Sequence, residues 1–207
     1  MDKSTNGLTP SQKQWLAIFE RTEELSRFHE ESAQDVTEVV NALGEHPASQ
    51  FLRRTAIRNF AAHVEGVVYL TKQFTLALSS VKTATFGKRE LARLGEARCY
   101  LDEKGQKKDL GYARFLDNFK LALRAYARVN GFSFKLECGD RRYEYFREMV
   151  KIRDRLMHPK ALKDFRVADD EIVRVGRAWR WYQEQASILY SNRGSAAGLQ
   201  TKFTPME

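Results

Sequence analysis

From Thr9 to Tyr190 apolar residues recur every three or four positions, the period of an amphipathic helix. Thr9-Pro10 supplies a cap followed by proline at the first helical position. Trp15, Ile18, Phe19, Thr22 and Leu25 form the stripe of a first helix. A second segment carries Val36, Val39, Val40 and Leu43 and stops at Gly44 and Pro47. The longest helix is predicted over residues 48–78, with Phe60, Val64, Val67, Thr71, Phe74 and Leu78 along one side.

Residues 88–98 read as helix and 102–108 as a turn. Tyr112, Phe115, Leu116, Phe119, Leu123 and Tyr126 make another stripe, ended by Asn130-Gly131. Residues 132–136 alternate like a short extended piece. Two further helices are predicted over 140–157 and 168–190, the last with Ala168, Ile172, Val175, Trp179, Tyr182, Ala186 and Leu189 on its stripe. Trp181 and Ile188 lie opposite that stripe, either filling a cavity or forming an exposed patch for a second chain. Five or six such helices with little strand predict an all-α antiparallel helical bundle in one domain over residues 9–190. Residues 1–8 and 191–207 lack periodicity and read as a disordered start and a flexible tail.

A chain of 207 residues buries enough surface to form a core without staples. Cys99 and Cys138 are isolated from each other and from clustered histidines, which favours a reducing compartment over a disulfide or a structural zinc. The polar start has no apolar signal core, and no apolar run reaches the ~20 residues that span a bilayer. These features predict a cytoplasmic protein with no membrane span.

The formal net charge is +8, which suits acidic partners such as nucleic acid or an anionic membrane surface, and equally suits a well-solvated basic protein. Position sharpens this: residues 141–166 hold nine Lys/Arg against four Asp/Glu, a net +5. On a helical wheel Tyr145, Met149, Ile152 and Leu156 fall together, widened by Phe146, Val150 and Met157, with Arg153 inside the apolar arc and Arg155 pointing away. A guanidinium there needs a partner. His158 precedes Pro159, so the helix ends at His158, where its dipole favours an imidazolium. Asp154, four residues earlier, is placed to orient that ring. Five helical residues set Arg153 and His158 about 140° apart. One copy therefore converges poorly on a single ligand, whereas two copies about a two-fold axis supply both groups. The plainer account makes Arg153 an arginine held by a carboxylate, and His158 a polar residue at a helix stop.

His29, His46 and His63 form no metal pattern, and His29, beside Glu30 and Glu31, reads as a solvated helix residue. Glu65 is either the partner of Arg153 or a surface carboxylate. The chain has no Gly-rich phosphate loop, GxSxG turn or HExxH, and lacks the Gly-Ser and paired-Asp signature of a nucleotidyltransferase.

The run Ile152-Arg153-Asp154-Arg155-Leu156-Met157-His158-Pro159-Lys160 resembles the motif of the HEPN superfamily: Arg, a polar residue, a short spacer, then His. The helix from Arg53, with its carboxylate at Glu65, is similar to that family's first core helix, and a closing helix follows the motif. Residues 1–47 and 81–111 resemble nothing in the family.

The resemblance implies a single HEPN-like domain and metal-independent endoribonuclease activity at a homodimer interface, without cofactor, as in toxin or defence effectors. It implies that His158 is the general acid/base and Arg153 stabilises the phosphate, while Asp154 orients His158. Lys151, Arg155, Lys160 and Lys163 would hold flanking RNA. An antitoxin or other partner protein would be a separate chain. The alternative is a non-catalytic HEPN-like module that binds nucleic acid or protein.

Overall fold

The computed structural model describes residues 8–82 and 84–192. Most of the expected disordered start and of the expected flexible tail lies outside the described residues. The chain forms six α-helices, α1 Pro10–Glu45, α2 Gln50–Ser79, α3 Lys88–Leu94, α4 Phe115–Asn130, α5 Arg141–Met157 and α6 Asp169–Ser191, with one single-turn 3-10 helix at Leu162–Phe165. A two-stranded antiparallel hairpin, β1 Cys99–Leu101 and β2 Lys107–Asp109, pairs Tyr100 with Lys108. The fold is thus an all-α helical bundle with one minor hairpin. No helix among the described residues is long and apolar enough to cross a membrane.

The first 36-residue helix corrects the expectation of two segments. Thr9 and Gln12 cap it reciprocally, Thr9 N donating to Gln12 Oε1 and Gln12 N to Thr9 Oγ1. Its inward stripe runs unbroken through Ile18, Thr22, Leu25, His29, Ala33 and Val36, and the polar or small members of that series disguise its continuity. Trp15 and Phe19, expected in the stripe, are half exposed because they lie to one side of the arc centred on Ile18, Thr22 and Leu25.

The chain divides into two compact units, and α1 and α2 each contribute to both. One unit takes α1 up to Phe28 and the span Val67–Phe134. In it α3 stops earlier than predicted. Glu96 N donates to Arg93 O and Ala97 N to Ala92 O, a helix-ending arrangement that puts Glu96 in the left-handed region at φ 57°. The chain then enters β1. Of the predicted turn at 102–108, residues 102–106 are the hairpin loop, held by Asp102 Oδ1 accepting from Lys104 N and Gln106 N, and Lys107 and Lys108 already belong to β2. Tyr112, expected on the stripe of α4, is 88% exposed because α4 begins three residues after it. Phe119, Ala122, Leu123 and Tyr126 of α4 are buried, with Tyr126 packing on Phe74 of α2.

The other unit takes His29–Gly66 and the residues from Lys135 onward. Residues 132–136 join no strand. The core here is aromatic. Phe60 of α2 meets Phe146 of α5 and Trp179 and Tyr182 of α6, and Phe146 also meets Trp181. Trp181 is fully buried and its indole N–H donates to Glu137 O, whereas Ile188 is half exposed. The two residues therefore do not form one patch. The packing of α5 on α6 fixes the helix that carries the candidate site.

Candidate functional site

Asp140 caps α5 by accepting from Arg142 N, and the Arg142 guanidinium bonds Asp140 and both carboxylate oxygens of Glu184. Tyr143, Phe146, Met149, Ile152 and Leu156 face inward. Tyr145, expected among them, is only half-buried, and Met157 is exposed, so the inward arc is narrower than the wheel suggested. The far end of α5 is set by Pro159: His158 occupies the C-cap with φ −130° and ψ 58°, its backbone N–H donating to Asp154 O.

Arg153 sits at the margin of the inward arc, its side chain 29% exposed. Nη2 lies 2.6 Å from Glu65 Oε1 and Nη1 lies 2.9 Å from Asp154 Oδ1. The structure thus joins Glu65 of α2 and Asp154 of α5 on one guanidinium. Asp154's carboxylate faces Arg153, and what it offers His158 is its backbone carbonyl. The His158 side chain is exposed and has no hydrogen-bond partner among the described residues.

The basic residues around the motif separate into two groups. Lys151, Lys160 and Lys163 are exposed with ammonium groups free of ion pairs among the described residues. Arg155 is engaged inside the fold: Nη2 bonds Glu171 Oε2 at 3.0 Å and Arg166 O at 3.1 Å. It lines an open cleft of about 690 Å³ beside the start of α6, where Arg53 pairs with Asp169 and Arg174 with Asp170. These paired arginines brace the turn between α5 and α6.

Arg54 and Arg58 of α2 are site-forming residues that sequence reasoning missed. Arg58 Nη2 donates to Leu156 O, satisfying a carbonyl in the last turn of α5, where a cation is favoured. Arg54 Nη1 donates to Phe165 O and its guanidinium lies 4.7 Å over the Phe165 ring. The available signal was spacing: Arg54, Arg58 and Glu65 stand four and seven apart and share one face of α2.

The other histidines are chemically distinct. His29, expected in solvent, is largely buried, its ring 5.0 Å from that of His63. His63 is fully buried, bonded through Nδ1 to Ser32 Oγ at 2.8 Å and edge-on to Trp179. Burial pushes His29 down to about 4; burial first, and then the neighbouring His29, push His63 down to about 3. Both are neutral at pH 7, so neither supplies a cation there. Among the described residues no three His, Cys, Asp or Glu side chains are gathered to hold a metal ion, and Cys99 and Cys138 are free thiols.

The arrangement offers one held guanidinium, one unencumbered imidazole five residues on, and lysines free to meet anions. No family model, curated protein or solved structure matches this chain.

Proposed function

We propose that this chain is a metal-independent endoribonuclease that acts as a pair of copies, with Arg153 and His158 as its working groups. The observation that carries the reading is the contrast at the end of α5. Arg153 is held by two carboxylates, whereas His158, at the C-cap, is exposed and unbonded. A structural histidine at a helix stop has no need of a fixed arginine five residues before it, while metal-independent phosphodiester cleavage can use both, a cation for the phosphate and an imidazole for proton transfer. In such a reaction the ribose 2′-OH loses its proton to an imidazole as the 2′-oxygen bonds phosphorus. The bond from phosphorus to the 5′-oxygen breaks, and that oxygen takes a proton from an imidazolium. A cyclic phosphate and a 5′-OH are left. Arg153 would carry the charge building on the phosphate oxygens. Likeness to the HEPN motif supports this chemistry and suggests a toxin or defence setting with a separate antitoxin or partner protein.

One observation favours the alternative, a non-catalytic HEPN-like module binding nucleic acid or protein. Both terminal nitrogens of Arg153 already face carboxylates, as an arginine of purely structural use would. The deciding experiment incubates the purified chain with labelled single-stranded and structured RNAs in excess chelator. The ribonuclease yields cyclic-phosphate ends, lost in His158→Ala. Intact RNA throughout transfers the assignment to the binding module.

A further inference from the structure

The charge excess has a second seat. Residues 88–128 hold eleven Lys/Arg against six Asp/Glu, a net +5 like that of the motif segment. Much of it converges on an open cavity of about 430 Å³ lined by α3 and α4, with Arg93, Lys120, Arg124 and Arg128 on its walls and Leu121 and Ala125 between them. Two carboxylates, Glu90 and Asp117, also line it, leaving the lining at a net +2.

Lys120, Arg124 and Arg128 occupy successive i, i+4 positions, so like charges stack along one face of α4 and work against the helix. Of Arg124 and Arg128, only Arg128 is offset internally. Arg128 bonds Glu90 at 2.8 Å and lies 4.2 Å over Phe86. Arg124 has no hydrogen bond or ion pair among the described residues, and Arg93 Nε is buried without an acceptor. The three cations of α4 stand about 6 Å apart along the axis, a row about 12 Å long. A row of that length suits a chain of phosphates better than one phosphate.

We propose that this cavity is a backbone site for single-stranded RNA, in which Lys120, Arg124 and Arg128, with Arg93 opposite, take successive phosphates. That the polyanion is RNA rests on the ribonuclease reading; the row itself does not depend on the motif. The test measures binding of a fluorescein-labelled oligouridylate by anisotropy across a salt series. It is done in a His158→Ala background, so that the probe stays intact. Lys120→Gln/Arg124→Gln should weaken binding several-fold and flatten the slope of log affinity against log salt by about 1.4, roughly 0.7 per lost phosphate contact. Arg124→Gln alone, at an exposed position, should show about half that change in slope. Arg124→Gln should melt no lower than its parent, since it relieves like-charge repulsion at a side chain that has no pair among the described residues.

Unchanged affinity and slope in the double variant overturn the site. So does an equal loss from Lys104→Gln/Lys107→Gln in the hairpin, which would mean diffuse attraction, and so does absence of binding by the parent chain. If the unmodified chain fails to cut RNA but the double variant still binds more weakly, the ribonuclease reading falls and the site stands. If the chain cuts but the double variant binds as its parent does, the reverse holds.

Discussion

Glu65 Oε1 stands 2.6 Å from Arg153 Nη2, and the two side chains are 40% and 29% exposed. The pair is therefore wet enough for either member to rehydrate when the other is removed. Arg153→Ala should cost no more than about 1 kcal/mol in stability, the usual range for such pairs, plus a little lost packing of the arginine stem. Urea melts at pH 7 check this. A loss of several kcal/mol would show that Arg153 holds the fold, and any inactivity of the variant would then say nothing about catalysis.

Glu65→Gln separates holding from charge. Loss of the carboxylate leaves Arg153 with Asp154 alone, so the guanidinium attracts phosphate more strongly but is less well placed. The expected outcome in a cleavage assay is a lower KM together with a lower kcat. Equal kinetics in the variant would mean that Glu65 does not position Arg153.

His158→Ala should leave the melting temperature within the scatter of surface substitutions, because its ring touches no partner, and should abolish cleavage. Mixing refolded Arg153→Ala and His158→Ala chains should restore part of the activity if each cleft draws the two groups from different copies. No recovery in a mixture shown by sedimentation to contain mixed dimers would sink the shared-cleft geometry.

Helix existence was legible wherever one strong stripe met a clear stop: α2, α5 and α6 begin and end within a residue or two of their predicted limits. Continuity of α1 was not, since after Leu25 its buried line passes through His29 and Ala33, and a polar or small residue reads as a gap until its neighbours are known. The hairpin was invisible because β2 is wholly exposed and has no alternation to read. At the site, Arg153 and His158 stood out by residue type and position. Arg54 and Arg58 did not, because they act on the carbonyls of Phe165 and Leu156, which carry no sequence mark.

The two buried histidines predict acid sensitivity above the carboxylate range. Unfolded, each titrates near 6.5; folded, His29 is held down to about 4 and His63 to about 3. Below 6.5 the unfolded chain therefore binds protons that the folded chain refuses, and stability falls as pH drops from 6.5 toward the folded values. Each group contributes a slope of up to about 1.4 kcal/mol per pH unit. Carboxylates held low by arginines, such as Glu90 by Arg128 and Asp170 by Arg174, lose their contributions only below their unfolded values of 4.5 and 3.8. Between pH 6.5 and 4.5 the histidines thus dominate. Urea midpoints at pH 7.5 and 5 should differ clearly, and less so in His29→Gln. Equal midpoints in the unsubstituted chain would mean that these rings reach solvent.

Lys72 and Glu96 give the sharpest stability contrast. The Lys72 side chain is 1% exposed and its ammonium lies 2.9 Å from Glu96 Oε1, its one partner among the described residues. Glu96 is half exposed and held at φ 57°, a conformation costing about 1–2 kcal/mol for a residue other than glycine. Removing the carboxylate strands a buried charge, so Glu96→Ala should cost about 3 kcal/mol. Removing the charge strands nothing, because Glu96 can turn to water; Lys72→Met, similar in volume and apolar, should be neutral or stabilising. Glu96→Gly should fall between wild type and Glu96→Ala, since it also loses the partner but relieves the backbone. With Lys72→Met already in place, Glu96→Gly should become stabilising, as only the relief remains. Thermal and urea melts of the wild type and these four variants complete a cycle in which the sign of the glycine effect depends on residue 72. If Glu96→Ala is as stable as wild type, the ammonium has found water or another acceptor and the pair is not what keeps Lys72 inside.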